Sequence, residues 1–196
     1  KGKTVQDIVA RHGFLPEANS VRIAISILKA LSYTLEQSII HRDIKPSNIM
    51  IDKTSNKAKL MDFGLAKIIY QHYSLSGQLL GTPCYMPPEQ AKDSTKVDHR
   101  ADVYALGATL YYMLTGHRPY EEFHTTNKIL EAKQTSDTKD LQEWNSNISL
   151  PIAAIVKKAM ARDVKDRYQT PIAFGKELHK LIEDKKQGVV RIYLKY

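Results

Sequence analysis

Apolar residues recur at intervals of three and four over much of this chain, which is the spacing of one face of an α-helix. The clearest stripe runs from Val21 to Leu35 and predicts a long helix over residues 16–38. A shorter helix is predicted before it, with a capping sequence that begins at Thr4 and an end at Gly13.

Four further helices follow in the second half of the chain. Residues 101–114 are apolar nearly all round, so this helix is expected to be central and buried. Amphipathic helices are predicted over residues 126–133, 151–162 and 171–184. Residues 65–100 instead carry few helix signals and many loop formers, and a long stretch of this kind is usually functional.

A short β-rich interlude separates the long helix from the loop-rich stretch. Two apolar pieces, at residues 49–51 and 59–61, flank the turn-like residues 52–56 and predict a small β-hairpin. We therefore expect a mainly α fold with a small β component, in the α+β class. Residues 188–196 also look strand-like, but the pattern gives them no role.

The composition is that of an ordinary globular domain. The 196 residues can bury a substantial core, and 42% of them are hydrophobic and 26% charged. The single cysteine, Cys84, excludes an intrachain disulfide and a cysteine-based zinc site. No stretch reads as a signal peptide or spans a bilayer, so we expect a cytoplasmic chain whose parent could be anchored by segments outside it.

The net charge of +8 raises the question of a nucleic-acid or acidic-membrane partner. The lysines and arginines are scattered, and the densest cluster is the pair Lys185-Lys186. Aromatic residues do not alternate with these basic residues, and no known nucleic-acid-binding motif accompanies them. We therefore expect no nucleic-acid partner, and we interpret the charge as a solvated surface with some cations that face phosphate.

Three short motifs carry candidate chemistry. The run that begins at His41 and ends at Asn48, HRDIKPSN, matches six of the eight positions of the phosphoryl-transfer loop H-R-D-x-K-P-x-N. Asp62-Phe63-Gly64 follows the predicted hairpin, and Pro87-Pro88-Glu89 follows the loop-rich stretch. Three such motifs, in this order and at workable spacings, are hard to explain by chance.

On these motifs the chain resembles the eukaryotic-type Ser/Thr protein kinase family, and its bacterial members most closely. The resemblance covers residues 1–184 and is to the helical C-terminal lobe of that fold. Residues 185–196 would be an extension of unknown role. The Gly-rich loop and the V-A-I-K lysine of the smaller lobe have no counterpart in the sequence, so the N-terminal lobe is expected as a missing partner.

The resemblance implies ATP and Mg²⁺ as cofactors and assigns them residues. Asp43 would orient the acceptor hydroxyl, and Lys45 would place a positive charge on the transferring phosphate. Asn48 and Asp62 would hold the magnesium ions, and Met50 would line the floor of the adenine pocket. Taken alone, each polar residue could equally be an ordinary surface or turn residue, and Met50 a core methionine.

The resemblance also implies regulation by phosphorylation. Arg42 and Lys67 match a cationic pocket, and Ser74 or Ser76 would be the autophosphorylated residue that this pocket binds. Two ordinary loop serines are the alternative. Thr82 matches a residue of the loop that docks Ser/Thr substrates.

The other motif residues and their expected partners are structural in the resemblance: His41, Phe63, Gly64, Glu89, Asp102 and Arg167. Glu89 would pair with Arg167, and Asp102 would hold the backbone of the catalytic loop from below. Breaking such a buried ion pair costs about 3–5 kcal/mol.

The function implied is transfer of the γ-phosphate of ATP to serine and threonine hydroxyls of protein substrates by the full-length parent. The isolated chain is expected to be inactive, because the roof of the nucleotide site would be lacking. The alternative is a pseudokinase-like docking or binding module, which a naturally absent upper lobe would favour.

Overall fold

The computed structural model describes residues 2–62, 83–93 and 97–186. Strands and helices follow in the order β1 (Gly2–Thr4), α1 (Val5–His12), α2 (Glu17–Glu36), β2 (Ile49–Asp52), β3 (Ala58–Leu60), α3 (Pro88–Lys92), α4 (Arg100–Thr115), α5 (Thr126–Thr135), α6 (Leu141–Trp144), α7 (Leu150–Ala159) and α8 (Pro171–Lys186). Single 3₁₀ turns lie at Pro46–Asn48 and Val164–Asp166. The mainly α fold and the six helices predicted from the sequence are confirmed, with ends that shift by a few residues.

Capping explains where α1 begins and ends. The Thr4 hydroxyl accepts a hydrogen bond from the Asp7 N–H at 3.1 Å, and the Asp7 carboxylate accepts one from the Thr4 N–H at 3.1 Å. This reciprocal pair satisfies two N–H groups that the helix itself cannot. Gly13 ends the helix with φ of 83°, a conformation that glycine adopts without strain.

The sheet has three strands where the sequence predicted two. Strand β1 pairs antiparallel to β2 with Lys3 opposite Ile51, and β2 pairs antiparallel to β3 with Met50 opposite Lys59. The extra strand is only three residues long, which is too short for an alternating pattern to be visible. Strand β2 is therefore paired on both sides, and this fixes the chain segments that lead into and out of it.

The core lies around α4, which is buried on nearly every side as its composition predicted. Helices α2 and α7 pack against it, and α8 packs across both of them. Gly107 allows the closest approach, since a methyl group there would lie 2.8 Å from the Ala159 Cβ. The fully buried Leu106 and Phe174 belong to this core, and truncating either to alanine would cost about 2–5 kcal/mol.

Two short helices, α3 and α6, were not predicted from the sequence. Each begins at a local signal, with Pro88 at the first position of α3 and the Asp140–Glu143 capping box on α6. Their five and four residues are too few for helical periodicity to be recognised. Within the described residues, no helix is both long and apolar enough to cross a membrane.

Candidate active site

One carboxylate fastens the backbone of the predicted catalytic loop, which begins at His41 and ends at Asn48, to α4. Asp102 accepts hydrogen bonds from the N–H of His41 at 2.9 Å and of Arg42 at 2.8 Å. Burial raises the pKa of Asp102, and the two N–H donors oppose that rise because they favour the charged carboxylate. Arg42 has φ of 64°, a left-handed conformation that is unfavourable for a side chain with a Cβ. The two bonds to Asp102 hold this strained turn in place.

The His41 ring is buried beneath the loop and its tautomer is fixed by its neighbours. Its Nε2 lies 2.9 Å from the Met61 carbonyl oxygen, which can only accept, so Nε2 carries the hydrogen. Its Nδ1 is then the acceptor for the Asp43 N–H at 3.3 Å. The ring thereby links Met61, which directly precedes Asp62, to Asp43.

Asp43, Lys45 and Asn48 form one polar cluster at the end of this loop. The Lys45 Nζ lies 3.0 and 2.8 Å from the two carboxylate oxygens of Asp43. The Asn48 amide donates to the Asp43 Oδ2 and to the Asp43 carbonyl, each at 2.9 Å. The Asp43 side chain is 14% exposed, so the carboxylate is oriented by two donors while it remains reachable from solvent.

The hydrogen bonds of Asn48 also settle which way its amide faces. Both of its N–H contacts are acceptors on Asp43, so its Oδ1 lies on the opposite side of the amide. Within the described residues, the contact of that oxygen is with the Ser47 hydroxyl at 3.5 Å. The Met61 N–H donates to the Asn48 carbonyl at 2.9 Å, which brings Asp62 next to Asn48 along the hairpin.

Asn48 and Asp62 fit the oxygen-rich coordination that Mg²⁺ prefers. The Asn48 Oδ1 is an available amide oxygen, and the Asp62 side chain is exposed on a backbone with φ of 61°. In the described ranges, no three His, Cys, Asp or Glu side chains come together as a metal cage. Mg²⁺ commonly takes one or two protein ligands and completes its shell with water and substrate phosphate.

Other sequence-predicted residues fall into two groups. Met50 lies in β2 opposite Thr4 and is partly exposed. A set of six lies outside the described residues, and its assignments stay predictions: Phe63, Gly64, Lys67, Ser74, Ser76 and Thr82.

Glu89 and Arg167 form an ion pair far from the loop in sequence. The two guanidinium Nη atoms lie 2.6 and 2.7 Å from the two carboxylate oxygens. The Arg167 Nε also donates to the Ala161 carbonyl at 2.7 Å. This bidentate geometry is the strongest form of an arginine–carboxylate pair. It ties the segment at α3 to the chain before α8.

The segment that leads into α3 lies directly against the catalytic loop. Tyr85, Met86 and Pro87 line a cavity of about 10 Å³ together with Arg42 and Asp43. A space of that size holds at most one water molecule, so it is a contact between two chain segments and not a ligand site. The chain from Tyr85 to Pro87 therefore forms one wall beside Asp43.

A much larger cavity, of about 710 Å³, lies elsewhere in the molecule. It is lined by residues that include Tyr120, Lys133, Leu141 and Met160, and it does not touch the Asp43 cluster. The polar residues of the predicted catalytic loop and the large cavity therefore lie in different parts of the molecule. The predicted catalytic residues lie in the Asp43 cluster, where a carboxylate, a cation and an amide converge next to the chain that leads to Asp62.

Sequence reasoning missed two residues near the site. The Gln90 amide donates to the Arg42 carbonyl at 3.4 Å and joins α3 to the loop. Lys133 is fully buried behind the Tyr85 segment, with its Nζ 2.9 Å from the Cys84 carbonyl. A signal for Lys133 was present, because it lies four positions after Ile129 on the buried face of α5.

Comparison with known sequences points to one family. The sequence model described as the protein kinase domain matches residues 1–178. Serine/threonine-protein kinase PknB of Mycobacterium leprae (strain TN) is 39% identical over 173 residues, which make up 86% of this chain and 27% of the relative. Probable serine/threonine-protein kinase CE0033 of Corynebacterium efficiens is 33% identical over 199 aligned residues, 98% of this chain and 30% of the relative. The chain spans less than a third of the length of these relatives.

Solved structures agree on the fold. The crystal structure of the Mycobacterium tuberculosis PknI kinase domain has a TM-score of 0.69 at 22% identity, over 92% of this chain and 62% of the other. The crystal structure of Rad53 1-466 in complex with AMP-PNP has a TM-score of 0.74 at 25% identity, over 90% of this chain and 44% of the other. With the family match over most of its length, the chain belongs to the protein kinase domain family.

Proposed function

We propose that this chain is the catalytic lobe of a protein serine/threonine kinase, which transfers the γ-phosphate of ATP to hydroxyl groups of protein substrates. The observation that carries the proposal is the contact of Lys45 and Asn48 with the two oxygens of the Asp43 carboxylate. Phosphoryl transfer asks for positioning and charge neutralisation more than for covalent chemistry, and this cluster supplies groups for both.

Each residue of the cluster has a role in the proposed reaction. The Asp43 carboxylate accepts the hydrogen bond of the incoming hydroxyl and aims its oxygen at the phosphorus. Lys45, at 2.8 Å from that carboxylate, lies where it can also neutralise charge on the phosphoryl group in transfer. Asn48 and Asp62 hold Mg²⁺, which when bound neutralises the nucleotide phosphates.

The names of the relatives support protein serine and threonine residues as acceptors, and the AMP-PNP bound to Rad53 supports an adenine nucleotide as the donor. We also propose that the active parent is longer than these 196 residues, in keeping with the length of its relatives. A cytoplasmic location and the lack of a nucleic-acid partner stay predictions.

The test measures phosphate transfer from Mg·ATP to dephosphorylated casein by the full-length parent. Asp43→Asn should abolish transfer, because the amide cannot accept the hydroxyl proton in the same way, and a loss of at least about a hundredfold is expected. Asp52→Asn is the matched control, since Asp52 is an aspartate on the nearby hairpin that pairs with Lys59 and does not touch the Asp43 cluster.

Two outcomes would contradict the proposal. Transfer that Asp43→Asn leaves intact would mean that another group carries the chemistry. A folded, phosphorylated parent that transfers no phosphate would favour the alternative, a docking module with the kinase fold.

A further inference from the structure

Lys133 is a buried cation that the proposed phosphoryl transfer does not use. Its residue is 1% exposed, and it lies on the inner face of α5 with Ile129 and Ala132. Its Nζ donates to the Cys84 carbonyl at 2.9 Å and to the Tyr104 hydroxyl at 3.0 Å. It therefore joins three separate parts of the chain through one atom.

Burial is costly for this ammonium, and the faces of two tyrosine rings offset part of that cost. The ammonium lies 4.9 Å from the centre of the Tyr104 ring and 4.8 Å from that of Tyr120. The Arg167 guanidinium occupies the same neighbourhood, 4.9 Å from the Tyr104 ring centre. Burial is the main cause that lowers the pKa of Lys133 to about 7.

A methionine could fill nearly the same space without that desolvation cost. What the lysine adds is a pair of hydrogen bonds, and one of them holds a peptide carbonyl at Cys84. Cys84 directly precedes Tyr85, Met86 and Pro87, which form the wall beside Asp43. The far side of the same segment is fixed at Glu89 by Arg167.

The geometry points to Lys133 as a positioning residue for the protein substrate. It fixes the backbone of Cys84 and thereby the wall beside Asp43. The acceptor chain lies along this wall when it binds. This inference rests on the proposed kinase function. We expect Lys133 to affect binding of the protein acceptor and not of the nucleotide. The proposed magnesium ligands Asn48 and Asp62 lie beside the hairpin of β2 and β3, away from the wall.

The experiment compares steady-state kinetics of the full-length parent with those of its Lys133→Met variant. Methionine keeps most of the length of the side chain and removes the donor. The KM for dephosphorylated casein should rise about tenfold, the loss expected for one buried hydrogen bond. The KM for ATP and kcat should stay within about twofold, because neither depends on the wall. Lys128→Met is the control, since Lys128 is an exposed lysine on the same helix.

An unchanged KM for casein would overturn the inference, and so would equal rises in the KM values of casein and ATP. If Lys133→Met does not fold, as judged by circular dichroism, Lys133→Gln replaces it. Its amide nitrogen lies one atom closer to the backbone than the lysine Nζ, so it does not reach the Cys84 carbonyl. A casein KM at the wild-type value would then overturn the inference.

Hydrogen exchange separates this inference from the proposed function. In Lys133→Met, the backbone amides of Cys84, Tyr85 and Met86 should exchange faster, while those of α7 keep the wild-type rate. Unchanged exchange at these three amides would overturn the inference about Lys133. Absence of Asp43-dependent transfer in the wild type would contradict the kinase function itself, whatever the exchange shows.

Discussion

Arg167 reaches Glu89 with both ends of its guanidinium, at 2.6 and 2.7 Å, while its own residue is only 2% exposed. The same group donates to three backbone carbonyls, those of Arg100, Ala161 and Arg162. One side chain therefore satisfies acceptors from α3, α4 and the chain before α8. Removing it leaves several buried acceptors without a donor, which is more costly than the loss of a surface pair.

We expect Arg167→Met to lower the free energy of unfolding by about 3–5 kcal/mol, because it strands the Glu89 carboxylate and the three carbonyls. Urea denaturation followed by circular dichroism measures this. Lys59→Met breaks the exposed pair with Asp52 and should leave the midpoint unchanged within error. Equal effects of the two substitutions would show that the buried pair adds no more than a surface one.

Asp102→Asn should reduce phosphate transfer without preventing folding. An asparagine keeps one acceptor oxygen for the His41 and Arg42 N–H groups and points an N–H at the other, so the strained turn at Arg42 loses one of its two restraints. We expect a fall in kcat of about tenfold or more and a loss of about 1–3 kcal/mol in stability. Kinetics of the full-length parent and a thermal melt check both. A kcat at the wild-type value would mean that the loop keeps its shape without the carboxylate.

Gly116 ends α4 with φ of 79°, and a methyl group there would lie 2.0 Å from the Gly13 carbonyl oxygen. Gly116→Ala combines a left-handed alanine with a backbone clash, so we expect a loss of about 2 kcal/mol or more. Gly175→Ala is the control, because its nearest neighbour, Leu28, would be 3.9 Å away and alanine favours the helix. That variant should be stabilised by about 0.4–1 kcal/mol. Thermal unfolding of both tests the contrast, and a stable Gly116→Ala protein would contradict it.

Stability should depend on pH through Lys133. Its folded pKa of about 7 lies below the ordinary value of 10.5, so between these values the unfolded chain binds the extra proton. The free energy of unfolding should therefore rise with pH in this window, by up to about 1.4 kcal/mol per pH unit relative to Lys133→Met.

The comparison with Lys133→Met isolates this effect from the other groups around the lysine. Burial raises the pKa values of Cys84, Tyr104 and Tyr120, and these groups are present in both proteins, as are Glu89 and Arg167. Urea denaturation at pH 7.5, 8.5 and 9.5 gives the slope. Parallel curves for the two proteins would mean that Lys133 keeps an ordinary pKa.

Autophosphorylation is predicted at Ser74 or Ser76, both outside the described residues. A phosphate on either would carry up to about two negative charges and could pair with Arg42 beside the catalytic loop. The Ser74→Ala/Ser76→Ala double variant of the parent should lose most of its transfer activity, and peptide mass spectrometry should locate the phosphate in the wild type. Full activity of the double variant would remove this prediction, and Ser55→Ala, on the exposed hairpin turn, is the control.

The six longer helices and the residues of the predicted catalytic loop could be identified from the amino-acid sequence. Helical periodicity is a relation between residues three or four apart, so α2, α4 and α8 could be located from the positions of their apolar residues. Asp43, Lys45 and Asn48 lie within one short loop, and the motif therefore named the cluster before any fold was known. The short elements β1, α3 and α6 were not predicted, because each has too few residues for a repeat of apolar positions to be recognised.

The atomic contacts between residues far apart in the chain became known only from the packing of the helices. No spacing in the chain relates Lys133 to Cys84, and the resemblance to a family, not periodicity, linked Asp102 to His41 and Arg167 to Glu89. Such contacts depend on how whole helix faces pack, since burial rewards apolar area wherever it lies in the sequence. A buried lysine is the clearest case, because its helical position predicts only that it faces inward. Its partners are fixed by the segments that pack over it.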